Sequence, residues 1–406
     1  MLSYKNKKFF SLYIFFSFTL IIGFFLNEDS GGSGGYITDF YSTLTSVIDP
    51  LNYFEYKNDF KFPLHYYITF FIYKISNENI YLFRLYFCLI SLSVPYLFFL
   101  CLKEKFKIEK KNLYYLSLII FLFPNYRSGA IWANTQITGI FFFLLSLLYF
   151  LKCHKNKKFL KKNILLTLTF GSLAIYVRQS YFLIYLFYLY IFFINLNFSK
   201  FFKIFLFSFL LSIPGIFFIH FDTRLITLSF SYKFYNLLLI SPSILFLYLI
   251  PFHIFFFKKI VLKVNKNFIL LLIFTILIIY FLSFLFDYNQ KQGGGFFLKL
   301  SLYLFKNNFL FYLSSLLGLM TLYLISEKKI SNYLLSLIFL LGFPASAIYQ
   351  KYYEPIFFIS LFLLFNNKVF FEFIKNQKNV IFLIAYFTLY LLIAVLNNIF
   401  LISKSI

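Results

Sequence analysis

The chain has 406 residues, of which 61% are hydrophobic, 26% aromatic and only 13% charged, and its formal net charge is +24. Soluble domains carry about 25% charged residues, so this composition excludes a soluble globular protein and indicates a polytopic membrane protein. The positive charge does not indicate nucleic acid as a partner, because the lysines mark alternate ends of successive apolar segments, which is the positive-inside pattern.

Apolar segments recur from Phe9 to Leu401. A helix that crosses the hydrocarbon core needs about 20 apolar residues, so we predict an all-α transmembrane bundle of about 13 spans, forming one integral-membrane domain over 1–406. Several segments are shorter than this and need a neighbouring helix to complete the crossing. The predicted spans are 9–26, 80–101, 113–124, 136–151, 164–176, 181–196, 204–221, 235–257, 268–285, 309–326, 331–348, 355–366 and 380–401.

The basic residues predict the orientation of these spans. Most of the 38 basic residues fall on one side of the membrane if the N-terminus is cytoplasmic, which is the side where Lys and Arg accumulate. The polar segment 27–79 then lies outside, and so does the C-terminus. No small-residue cleavage site follows the first apolar run, so we expect an uncleaved first span. These features predict a multi-pass protein of the cell inner membrane whose first large loop is periplasmic.

Segment 27–79 concentrates acidic residues in one predicted outer loop. Six of the fourteen acidic residues lie between Glu28 and Asp59, in a polar stretch with several glycines. We expect this loop to contain short helices and to hold the catalytic carboxylate. Asp39 is the predicted general base, because it lies within reach of the membrane surface and follows glycines that permit tight turns. The alternative is that Asp39 caps a helix beginning at Phe40.

Three short motifs in the first 100 residues carry a family resemblance: Thr38-Asp39-Phe40, Pro63-Leu64-His65-Tyr66 and Arg84-Leu85. In this order after one span, they resemble the aminoarabinose transferases and the protein O-mannosyltransferase-like enzymes of the GT-C superfamily. The resemblance implies a hexosyl- or pentosyltransferase that passes a sugar from a polyprenyl-phosphate donor to a lipid, glycan or protein acceptor of the cell envelope. It also implies that His65 and Tyr66 bind the substrate. The chain has Phe40 where members often have a second acidic residue.

Arginine is scarce, and its four positions fall at predicted outer ends of spans: Arg84, Arg127, Arg178 and Arg224. The guanidinium fork grips phosphate oxygens in two places and stays charged at a bilayer interface. We therefore predict that Arg178 and Arg127 bind the donor phosphate and that Gln179 contacts the substrate. The alternative for Arg178 and Arg127 is an interhelical turn with the side chain extended to the interface. Arg84 is interpreted as an anchor at the start of its span.

Two later outer segments contribute further candidates. Segment 287–299 contains three successive glycines, which suit either a close approach of the backbone to a ligand or a flexible connector. In segment 350–355, Lys351 is predicted to contact the donor phosphate, and Tyr352 and Glu354 to contact the substrate. The alternative for this second segment is an interfacial aromatic belt with paired charges.

No cofactor or metal is expected from the sequence. The three cysteines and four histidines show neither disulfide nor metal-ligand spacing, and no glycine-rich phosphate loop of an ATP-driven pump is present. A secondary transporter stays an alternative, although it would place ionisable groups near the bilayer midplane on broken helices, whereas the acidic residues here are assigned to loops or span ends. An O-antigen polymerase-like or ligase-like enzyme and a non-enzymatic scaffold also stay open.

Overall fold

The computed structural model describes residues 4–31, 35–50, 62–155, 161–221, 233–261, 266–289, 293–343 and 347–405. Within these ranges every regular element is a helix and none is a strand, which confirms the predicted all-α class. The α-helices are α1 (Tyr4–Phe25), α2 (Gly35–Ile48), α3 (Leu64–Ile75), α4 (Ile80–Ser91), α5 (Ser93–Lys105), α6 (Lys110–Leu118), α7 (Pro124–Ile131), α8 (Thr135–Lys155), α9 (Lys161–Val177), α10 (Phe182–Asn195), α11 (Phe198–Phe221), α12 (Phe234–Val261), α13 (Lys266–Leu285), α14 (Gly295–Phe305), α15 (Phe309–Ser326), α16 (Ile330–Leu341), α17 (Ile356–Leu363), α18 (Lys368–Lys375) and α19 (Gln377–Ser405).

Among the described residues, seven helices are long and apolar enough to cross a membrane, or eight if Gln350–Leu363 and Lys368–Lys375, which meet at 95°, count as one span. Four further apolar helices are shorter. The structure therefore supports a multi-pass membrane protein, while the count of 13 spans and the orientation stay predictions. The predicted span 113–124 is not one continuous helix in the structure: α6 ends at Leu118, a 3-10 turn follows, and Pro124 begins α7.

The chain divides into two compact units. The first comprises Met1–Asp222 together with Ile374–Ile406. The C-terminal helix α19 packs within this unit, where the rings of Phe387 and Phe123 lie 4.9 Å apart. Asn112 of α6 donates to the carbonyls just before α19, at 2.9 and 3.1 Å. The assignment of 1–406 to one domain stays a prediction, since these units are defined by packing alone.

The second unit is Thr223–Phe373. Its glycine-rich segment packs backbone against backbone: Gly294 N donates to the Ile348 carbonyl at 2.8 Å. Gly293 has a φ of +77°, and a Cβ there would lie 2.4 Å from the same carbonyl oxygen. The glycines described at 293–295 therefore pack closely within the unit, and the two predicted uses of this segment stay predictions. Residues 290–292 lie outside the described ranges.

The contact between α12 and α15 in the second unit depends on small residues, as helix pairs in membranes do. Ser315 Oγ donates to the Leu239 carbonyl at 2.6 Å, and the hydroxyls of Ser243 and Ser314 lie 2.7 Å apart. A Cβ on Gly318 would lie 2.1 Å from the carbonyl oxygen of Pro242, which belongs to the backbone of the facing helix. No side chain fits at this position unless the two helices separate.

We expect Gly318→Ala to destabilise the protein by about 1–3 kcal/mol, the usual cost of overpacking a close contact. Thermal unfolding in detergent measures the effect as a lower midpoint. Gly35→Ala is the matched control, because a Cβ at Gly35 meets nothing within 4 Å. Equal midpoints for the two variants would contradict the close approach of α12 and α15.

Candidate functional site

A small open recess with an accessible volume of about 10 Å³, room for about one water molecule, lies in the first unit. It is bordered by α2, α3 and the segment between α7 and α8. Two aromatic rings, Phe40 and Trp132, form part of its wall. The polar residues that line it are Asp39, Thr43, His65, Tyr66, Asn134 and Thr135. Three of the sequence-predicted site residues, Asp39, His65 and Tyr66, are therefore brought together here from two helices of segment 27–79.

The position of Asp39 follows from the pattern of α2. Tyr36, Phe40 and Val47 form the buried face of this helix, and Asp39 lies beside that face, half-buried. Its main-chain carbonyl accepts the hydroxyl of Thr43, the next lining residue, at 2.9 Å. Since α2 begins at Gly35, the alternative that Asp39 caps a helix starting at Phe40 is wrong. The role of Asp39 as a general base stays a prediction.

His65 and Tyr66 are fixed in the first turn of α3, directly after Pro63. His65 is 2% exposed, and its Nδ1 lies 2.9 Å from Thr138 Oγ1 in α8. Tyr66 is buried. The opposite side of the recess is formed where α7 ends and α8 begins, and there the Asn134 side chain accepts the main-chain N–H of residue 136 at 3.0 Å, which caps α8.

Arg127, predicted to bind phosphate, is buried in an ion pair and does not line the recess. Its Nε lies 2.8 Å from Glu28 Oε1 and its Nη2 lies 2.6 Å from Glu28 Oε2, and the two side chains are 6% and 10% exposed. Thr19 accepts further bonds from the guanidinium. A phosphate at Arg127 would have to displace Glu28 in this arrangement. The sequence offered a weak signal for this pair, since both residues lie at predicted outer ends of spans.

Arg84 lies inside an aromatic box. Its guanidinium carbon is 3.6 Å from the ring centre of Trp132, and 5.4 and 5.8 Å from those of Phe24 and Phe40. Nη2 donates to Asn27 Oδ1 at 3.1 Å, and Nε donates to a main-chain carbonyl of α7 at 3.2 Å. Arg84 therefore joins α4 to α1, α2 and α7, and it holds Trp132, a wall of the recess, by a cation–π contact.

Arg178 and Gln179 lie at the break between α9 and α10. Helix α9 ends at Val177, Arg178 has an extended backbone, and a single 3-10 turn begins at Gln179 before α10 starts at Phe182. Both side chains are half-buried, and neither lines the recess. The fourth arginine, Arg224, lies outside the described residues.

Residues beside the break at Arg178 contact residues beside the recess in two places. The ring of Tyr181 covers Gly139 of α8, where a Cβ would lie 2.8 Å from a ring carbon. Gly139 is the neighbour of Thr138, which contacts His65. Residues at the start of α3 also reach this break, since the ring of Phe62 lies 5.6 Å from that of Tyr176. These contacts connect residues next to the break with residues next to the recess.

Lys351, Tyr352 and Glu354 belong to the second unit. The Lys351 amine lies 5.1 Å from the Tyr349 ring centre, and the Tyr352 ring is nearly parallel to that of Phe343 at 6.1 Å. These two contacts are of the kind expected in an interfacial aromatic belt. Glu354 differs, because it is fully buried and accepts the Tyr248 hydroxyl at 2.9 Å.

No group of three or more His, Cys, Asp and Glu side chains that could hold a metal ion occurs in the part of the chain that the structure describes. Buried polar side chains from the segment after α1 and from α2, α7 and α8 are joined to one another. Sequence reasoning missed Asp29, Tyr36, Asn125 and Gln136, which are all nearly inaccessible to solvent and are joined by direct hydrogen bonds. A polar residue in a loop gives no sign of burial, so only the packing could identify them.

No family model, no curated protein and no solved structure matches this chain. A function is therefore inferred from the residues of this chain and their geometry.

Proposed function

We propose that the chain is a membrane glycosyltransferase that takes a sugar from a polyprenyl-phosphate donor and passes it to a lipid, glycan or protein acceptor on the outer face of the membrane. The observation that carries the proposal is the recess shared by Asp39, His65 and Tyr66. A half-buried carboxylate beside polar side chains supplies the proton acceptor and the hydrogen-bonding groups that sugar transfer requires.

In this proposal Asp39 accepts the proton of the acceptor hydroxyl while that oxygen attacks the anomeric carbon. The bond between the anomeric carbon and the phosphate oxygen breaks, and its electron pair leaves with the phosphate. A cation is needed to stabilise the developing charge on that phosphate. His65 and Tyr66 border the same space and would hold substrate hydroxyls. The roles given to Lys351, Tyr352 and Glu354 stay predictions from the sequence.

Arg178 is the stronger of the two predicted phosphate ligands. Arg127 has a buried carboxylate on its guanidinium, and displacing Glu28 would leave that carboxylate without its cation. Arg178 is half-buried at a helix break near the start of α3. We therefore keep Arg178 as the predicted ligand of the donor phosphate.

The proposal is tested with purified protein in liposomes that contain a panel of polyprenyl-phosphate-linked sugars and a lipid extract as acceptor. A glycosidic product identified by mass spectrometry is the expected result. A donor that copurifies with the protein would name the sugar. If every donor in the panel remains intact, with neither transfer nor hydrolysis, the proposal is wrong.

We expect Arg178→Lys to weaken donor binding and turnover together, because lysine keeps the charge and loses the two-pronged contact with phosphate. Binding of a polyprenyl phosphate and of the uncharged polyprenol is compared by thermal shift. Only the phosphate should bind more weakly to the variant, by about tenfold if one charge-assisted hydrogen bond of about 1.5 kcal/mol is lost. An equal loss for both lipids would place Arg178 outside the phosphate site.

Transport is the second candidate, and one observation favours it. Glu354 is fully buried at the start of a helix pair that bends by 95°, and broken helices with buried ionisable groups are typical of secondary transporters. The same liposomes distinguish the two functions. Movement of the sugar across the bilayer without a glycosidic product would favour transport over transfer.

A further inference from the structure

The N-terminus of α2 is capped by a carboxylate from outside the helix. Asp29 is 1% exposed, and its Oδ2 accepts the main-chain N–H groups of Tyr36 at 3.0 Å and Ile37 at 3.1 Å. A carboxylate here satisfies donors that the first turn of a helix leaves unpaired, and it interacts favourably with the helix dipole. Asp29 therefore fixes where α2 begins, and Asp39 lies about one turn into this helix.

Asp29 is itself held firmly, because segment 28–31 packs on α7. The ion pair between Glu28 and Arg127 joins the first residue of the segment to that helix. At its other end, Gly31 N donates to Ser128 Oγ at 2.9 Å. A Cβ on Gly31 would lie 2.6 Å from the Cα of residue 125, so the two backbones are in direct contact. Residues on both sides of Asp29 in the chain, Glu28 and Gly31, are therefore bound to α7.

Tyr36 fixes the rotation of α2 about its axis. It is 1% exposed, and its hydroxyl donates to Gln136 Oε1 at 3.0 Å, with Asn125 Oδ1 at 3.3 Å. Gln136 directly follows Thr135, which lines the recess. Tyr36 and Asp39 are three residues apart and are neighbours on the helix surface. A shift of α2 by one residue would turn Asp39 by about 100°, away from the recess.

We propose that Asp29 and Tyr36 are positioning residues, which set the axial placement and the rotation of α2 and so hold the Asp39 carboxylate at the recess. The inference rests on the proposed function, because it gives both residues a part in the same transfer reaction. It assigns them no contact with the substrate. Substituting either residue changes the reaction only by moving the Asp39 carboxylate. This dependence on Asp39 distinguishes a positioning residue from one that only stabilises the fold.

Tyr36→Phe tests the proposal, since it removes one buried hydroxyl and keeps the ring. We expect the turnover rate to fall by about 10- to 100-fold, the range that a misplacement near 1 Å produces, with the apparent KM for the donor nearly unchanged. In the Asp39→Asn background the same change should have no further effect, because the group being positioned is already missing. Losses that multiply in the double variant would overturn the proposal.

Tyr126→Phe is the matched control. Tyr126 is buried in the same unit, and its hydroxyl donates to the Ser91 carbonyl at 2.7 Å, away from the recess. We expect it to lower thermal stability about as much as Tyr36→Phe and to leave turnover unchanged. A loss of turnover in both variants would show that Tyr36→Phe acts only by lowering the stability of the protein, and the positioning role would be wrong.

A second measurement does not depend on sugar transfer. The three native cysteines, Cys88, Cys101 and Cys153, are all buried, so Asp39→Cys introduces a thiol whose labelling by a maleimide can be followed selectively. We expect Tyr36→Phe or Asp29→Asn to change the labelling rate of this thiol several-fold, and Tyr126→Phe to leave it unchanged. Equal rates in all four proteins would overturn the positioning role, whereas an active Asp39→Asn enzyme would overturn only the catalytic assignment of Asp39.

Discussion

We expect Asp39→Asn to lower the rate of sugar transfer by about 10²- to 10⁴-fold, the range typical of the loss of a general base. The amide keeps the size of the side chain and its capacity for hydrogen bonds, but it cannot take up the proton of the acceptor hydroxyl. Donor affinity should change little, because the predicted phosphate contacts do not involve this residue. Single-turnover measurements on reconstituted protein with a lipid-linked donor report the two quantities separately.

Asp49→Asn provides the control for this experiment. It makes the same chemical change just beyond the end of α2, at a residue that does not line the recess. We expect its transfer rate to stay close to that of the unaltered protein. Wild-type transfer by Asp39→Asn would exclude this carboxylate as the base, and an equal loss in both variants would point to the net charge of the loop.

Glu28→Ala is expected to destabilise the first unit by about 3–5 kcal/mol, which is the cost of removing one partner from a buried ion pair. Both side chains are at most 10% exposed, and the variant leaves the Arg127 guanidinium buried without its carboxylate. The variant also removes the acceptor of the Ser30 hydroxyl at 2.8 Å. Reversible unfolding in mixed micelles measures the change in free energy.

Lys74→Met is the matched control, because it breaks an ion pair with Glu78 in which both side chains are about half exposed. Exposed pairs contribute little, so we expect the unfolding free energy to stay nearly constant.

The binding of polyprenyl phosphate to Glu28→Ala tests the predicted role of Arg127. If Arg127 binds the donor phosphate, this lipid should stabilise Glu28→Ala more than the unaltered protein, and an equal shift would remove Arg127 from the phosphate site.

Several features followed from the sequence because they depend on local composition. The absence of water in a bilayer requires each spanning segment to satisfy its own backbone hydrogen bonds, so long apolar runs predicted helices and the multi-pass character. Segment 27–79 was likewise expected to contain short helices, and α2 and α3 lie in it. The association of Asp39 with His65 and Tyr66 was suggested by their order in one loop, and the two helices do border one recess.

Other features depend on which helices meet, and residue types alone do not specify this. The sequence named no partner for the arginines at the ends of spans. In the structure Arg127 faces Glu28, Arg84 faces three aromatic rings and Arg178 lies at a helix break. The partners of Arg127 and Arg84 include residues far away in the chain. The packing of α19 in the first unit and the burial of Glu354 in the second unit likewise depend on tertiary contacts.

The sequence by itself therefore determined that the protein lies in a membrane and that its regular elements are helices, since both depend on the hydrophobicity of segments about 20 residues long. Tertiary structure alone decided that α2 begins at Gly35 under the cap of Asp29, and that its rotation is set by Tyr36 and Gln136. The physical reason is that a buried polar group takes whichever partner the packing brings within hydrogen-bonding distance, and that partner can lie anywhere along the chain.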